Sequence, residues 1–148
     1  MFSKNERSKI VNMENGQNQQ YIEEEIFQLA AEAFEKNVPL QNGIETLELH
    51  PCLRTNIRAD RLIRMVVHGK ELRYYAEIKA HVTKAQRLLL QLNRQDLEYP
   101  IFLITRHINT ETAEELRKNN IEFIDTAGNA FINNPPVYVF IKATDLRK

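Results

Sequence analysis

Residues 58–80 read RADRLIRMVVHGKELRYYAEIKA. Two strand-like runs, Arg58 to Val67 and Glu71 to Ala80, flank His68-Gly69-Lys70, a short turn that contains glycine. That pattern predicts a β-hairpin of antiparallel strands. Its far end carries the chemistry. Residues two apart in a strand share a face, so Glu77 and Lys79 point the same way. At about 3.3 Å per residue, the start of one strand meets the end of its partner. This sets Asp60 near Glu77. Two carboxylates so placed repel each other unless something positive joins them.

A divalent cation would join them. Magnesium prefers hard oxygen ligands and keeps several waters. Asp60, Glu77 and the main-chain carbonyl of Ile78 offer such oxygens, and Glu23 on the preceding helix is the candidate for a further one. Lys79 would orient or help deprotonate a water, or offset charge on a phosphate. Asp60, Glu77 and Lys79 together suit hydrolysis of a phosphodiester. The plainer alternative is a half-exposed ion pair of little energetic weight.

Outward from the hairpin, helices and strands follow one another. Ile22, Ile26, Leu29, Ala30, Ala33 and Phe34 recur at helical spacing and predict an amphipathic helix over 20–37. Residues 44–49 alternate as a half-buried strand. Thr83 with Gln86 makes a capping box for a helix to about Arg94. Residues 100–105 are nearly all apolar, as a strand covered on both faces requires. Asn109 caps the next helix, with Ala113 and Leu116 inward, and Asn119-Asn120 ends it. Strands follow at 121–124, 130–133 and 137–141. The expected fold is α/β: a mixed central sheet flanked by helices, parallel where strands and helices alternate.

The 148 residues fit one domain, with a polar tail over 1–19 and the folded part over 20–148. Twenty basic residues balance twenty acidic ones, so any electrostatic site is local. Cys52 is the only cysteine, which excludes an internal disulfide and a cysteine-based zinc site. No apolar run reaches the ~20 residues of a membrane span, and the amino terminus lacks a signal-peptide pattern. A cytoplasmic protein is expected.

Asp60, Glu77 and Lys79 in this element order resemble the PD-(D/E)XK motif of the restriction-endonuclease-like superfamily, with Ala59 where the motif's proline stands. Gln86 and Gln91 on the helix after Lys79 also fit that pattern. Residues 121–131, IEFIDTAGNAF, look like a segment of AbiEi-type antitoxins, transcriptional regulators of type IV toxin–antitoxin systems. The segments 102–108 and 138–142 are similar to the same family. The resemblance implies a nuclease-like domain, nucleic acid as partner, DNA above all, and a cognate toxin; a homodimer is a further expectation. Members pair this domain with a winged helix. The chain stops at Lys148, about where one would begin, so base reading by a recognition helix is not assigned to these residues.

Several residues admit two readings. Asp125 and Asn129 either build a turn around Gly128 or contact nucleic acid or a partner. The cations Arg54, Arg58, Arg61, Arg64 and Lys70, with Lys84, Arg87 and Arg94 on the next helix, either track a nucleic-acid backbone or sit on a solvated surface among glutamates. Arg106 and His107 end a strand, where α/β proteins place ligands, and His81 shares the Lys79 face if that strand continues. Two main functions follow. One is a nucleic-acid-associated regulatory domain. The other is an active magnesium-dependent endonuclease. A protein-interaction domain with an inactive nuclease fold is a third.

Overall fold

The computed structural model describes residues 21–47, 61–84 and 97–143. The expected tail, Asp60, Gln86, Arg87 and most of the helix expected from Thr83 lie outside the described residues. Within them the order is α1 (residues 21–35), β1 (Glu45–Leu47), β2 (Arg61–Val67), β3 (Lys70–Lys79), β4 (Ile101–Thr105), α2 (Thr110–Lys118), β5 (Glu122–Asp125), β6 (Ala130–Asn134) and β7 (Val137–Ile141).

The seven strands form one mixed sheet whose spatial order is their chain order. β1, β2 and β3 pair antiparallel, β3, β4 and β5 parallel, and β5, β6 and β7 antiparallel again. The hairpin is tighter than the sequence suggests. Val67 pairs with Lys70, which leaves a two-residue loop. His68 and Gly69 both take positive φ, 50° and 80°. A two-residue loop with both central residues left-handed follows the twist of the flanking strands.

α1 packs on one face of the sheet and α2 on the other. Ile26, Phe27, Ala30 and Phe34 of α1 join Ile63 and Met65 of β2, Tyr74, Ala76 and Ile78 of β3, and residues from β4 to β7. Ala113 and Leu116 of α2 join Ile101, Leu103, Phe123 and Phe131 on the opposite side. All five residues of β4 are buried, as the apolar run predicts. One expectation fails in α1. Ile22 and Leu29 are turned outward, 37% and 45% exposed, and Phe27 is buried instead. At about 100° per residue, the stripe through 27, 30 and 34 leaves position 29 on the far side. The two phenylalanines bury more area than Leu29 would, and they set the rotation of the helix.

Gly69 has open space around it, so a substitution there tests backbone conformation alone. Gly69→Ala is expected to cost about 1 kcal/mol, and His68→Asn to gain a few tenths. Urea unfolding at constant m-value measures both; an unchanged midpoint in Gly69→Ala would contradict the turn geometry.

Candidate functional site

The parallel strands end together. Lys79 pairs with Thr105 and Thr105 with Asp125, so three chain exits lie side by side. Alternation on β3 puts Ala76 and Ile78 in the α1 core and leaves Glu77 and Lys79 on the α2 side. Both are half-buried, and Glu77 stands beside Leu103. Glu77 and Lys79 therefore share a face at the rim of the sheet, as expected.

Asp60 lies outside the described residues. Its chain neighbour Arg61 pairs with Ala76, the neighbour of Glu77. Glu23 extends the inward stripe of α1, and α1 covers the face opposite Glu77. The main chain of Ile78 lies in the ladder against Ile104. Among the described residues no three histidine, cysteine, aspartate or glutamate side chains are placed to hold a metal.

The cations of the hairpin are largely compensated. Arg61 Nη2 donates to Glu24 at 3.0 Å and lies 4.4 Å over the Phe27 ring. Arg64 joins Glu45 at 3.2 Å and Glu71 at 2.6 Å, and Arg73 joins Glu71 at 2.8 Å. The hydrogen bond from Arg64, then that from Arg73, holds the Glu71 carboxyl below its ordinary range. For Arg61 and Arg64 the solvated-surface reading applies. By contrast, no described carboxylate pairs with Lys79 or Arg106.

Beyond Lys79 and Thr105 the two exits bound a cleft of about 180 Å³, lined among others by His81, Thr105, Arg106, His107, Asn109 and Thr112. His81 and His107 thus come together, which their sequence separation hides. The signal was available: parallel pairing of the two strands aligns the residues that follow Lys79 and Thr105. The amino end of α2 borders this cleft, with Asn109 Oδ1 accepting the Thr112 amide at 2.8 Å. Lys84, exposed, is the last described residue on the segment leaving β3.

Asp125 and Asn129 face inward. Asp125 is fully buried, and its carboxylate accepts from the amides of Ile108 (2.8 Å), Ala127 (2.9 Å) and Asn129 (2.9 Å), and from Asn129 Nδ2 (2.7 Å). Asn129 Oδ1 accepts the Ala143 amide at 2.8 Å. Gly128, at φ +100°, makes the turn between them. A buried carboxylate needs such donors, because an unpaired one is costly. The turn-building reading accounts for all of these atoms.

The sequence reading missed one polar group. Glu122 is 5% exposed in the α1-side core and accepts a hydrogen bond from the Tyr74 hydroxyl, which also accepts from Asn134 Nδ2 at 3.3 Å. Burial, then the Glu122 charge, pushes the Tyr74 hydroxyl pKa well above its ordinary value of 10.0. No family model, no curated protein and no solved structure matches the chain.

Two outcomes follow. Asp125→Asn turns an amide NH₂ toward groups that already donate, and is expected to cost about 3 kcal/mol. Urea unfolding reads the cost, together with faster hydrogen exchange at the Ile108 amide; a loss under ~1 kcal/mol would deny Asp125 its organising role. Tyr74 gives a pH signature. A folded pKa raised above the unfolded one gives stability that is present below about pH 10 and lost as pH rises through the folded value. Stability should fall above about pH 10, and less steeply in Tyr74→Phe; parallel curves would refute this.

Proposed function

We propose that the chain is a nucleic-acid-associated regulatory domain built on a restriction-endonuclease-like sheet, of the AbiEi-like antitoxin kind. One observation carries the reading. The parallel exits gather Lys79 and Arg106, which pair with no described carboxylate, beside a cleft whose described lining has no acid. Local positive charge on a balanced chain is what a phosphate backbone needs. The order of three antiparallel strands followed by parallel ones supports the nuclease-like comparison. Under this reading the partners are DNA and, by the same resemblance, a cognate toxin in the cytoplasm.

A second reading, a magnesium-dependent endonuclease, is favoured by one feature. Glu77 and Lys79 share a face, and Asp60 is joined to the residue that pairs beside Glu77. Asp60 and Glu77 would hold the metal, which would polarise the phosphodiester; Lys79 would sit beside the scissile phosphate.

Anisotropy with labelled duplex and single-stranded DNA, across a salt series, tests the first reading. Binding without cleavage is expected, with log affinity falling linearly against log salt. Lys79→Ala should weaken binding about three- to tenfold and reduce the salt slope by about one. Absence of binding at low salt would reject it. Metal-dependent cleavage, lost in both Asp60→Ala and Lys79→Ala, would select the endonuclease.

A further inference from the structure

The cleft at the exits of β3 and β4 is a built feature, separate from the strand face of Glu77. Its lining comes from three elements: His81 after β3, Arg106 and His107 after β4, and Asn109 with Thr112 at the start of α2. His81, Arg106 and His107 are all exposed, and among the described residues no aspartate or glutamate lines the space. Two described acids on the bordering elements do not enter the lining. Asp125 is buried with its oxygens directed to Ile108, Ala127 and Asn129. Glu111, in the first turn of α2, is exposed and not part of the lining.

The wall that carries Arg106 and His107 is fixed from beneath at both ends. Thr126 donates its amide to the Thr105 carbonyl at 3.1 Å, and the Ile108 amide donates to Asp125 at 2.8 Å. A loop pinned in this way loses little freedom when a ligand arrives. Asn109 Oδ1 is committed to the cap, which leaves the side-chain amide NH₂ as a donor.

We infer that this cleft binds a phosphate monoester, either the terminal phosphate of a nucleic-acid strand or that of a mononucleotide. A monoester presents three non-bridging oxygens, and residues with donors border this cleft from three elements. An internal diester presents two, and its chain must leave on both sides. Arginine's planar fork and the amino end of a helix both favour a doubly charged oxyanion. The phosphate contact stands without the regulatory reading; only its source in nucleic acid rests on that reading.

Histidine ring signals of the full chain, followed by NMR, test the site. The titrants are inorganic phosphate, adenosine with and without a 5′-phosphate, and a short single strand carrying a 5′-phosphate, a 3′-phosphate or neither. The expected result is saturable shifts at both His81 and His107, with the unphosphorylated strand at least tenfold weaker than one phosphorylated form. Arg106→Ala should weaken phosphate binding at least tenfold, and Arg106→Lys by less. Arg106 is exposed, so an unchanged amide spectrum is expected; His107→Gln gives a second, independent loss. Preference for the phosphorylated strand over the mononucleotide assigns the source to nucleic acid, and equal binding assigns it to the nucleotide. Three results would overturn the inference: no saturable shift at the two histidines, full phosphate affinity in Arg106→Ala, or equal binding of all three strands. Loss of duplex binding with phosphate binding intact would reject the regulatory reading instead.

Discussion

The buried carboxylate of Asp125 holds together the end of the sheet where the parallel strands finish. It accepts four hydrogen bonds, from the β4–α2 loop through Ile108 and from the turn after β5 through Ala127 and Asn129. Asn129 passes the connection on to Ala143 beyond β7. A charge in the interior is tolerated only when its acceptor capacity is met. Meeting it here obliges four stretches of chain to meet at one point. The exits of β4 and β5, the start of α2 and the end of β7 are positioned by two side chains, Asp125 and Asn129.

The rim of the sheet follows from that organisation and from register. Parallel pairing sets Lys79 level with Thr105, and the next residues of both strands border one cleft. Glu77 and Lys79 occupy one face because Ala76 and Ile78 are held by the α1 core. In the antiparallel half, Arg61, Arg64 and Arg73 are paired with Glu24, Glu45 and Glu71. At the parallel exits, Lys79 and Arg106 have no described carboxylate partner.

Much of the fold is legible in the sequence because its signals are local. His68-Gly69 marks the hairpin, Asn109 caps α2, and the apolar run 101–105 announces a strand covered on both sides. The rotation of α1 is not legible. Ile22 and Leu29 fit helical spacing as well as Phe27 does, and only packing against β2 and β3 decides between them. Glu122 reads as an ordinary polar residue of a short strand; its burial depends on Tyr74, two strands away. At the site, the shared face of Glu77 and Lys79 is legible from a period of two. The meeting of His81 with His107 needs the parallel register as well. For Asp125 the sequence offers two roles, and the hydrogen bonds of the buried carboxylate show the architectural one.

The sheet has one further property. Each strand lies beside the one that precedes it in the chain, from β1 through β7. During synthesis, every segment emerging from the ribosome therefore meets a template that has already been made. Growth by successive addition keeps loop-closure entropy small at each step, and domains that emerge amino end first are suited to it. The last additions bring Asn129 and then Ala143 into place. The assembly is locked only once Ala143 has been added, and a chain truncated before it would lack that latch.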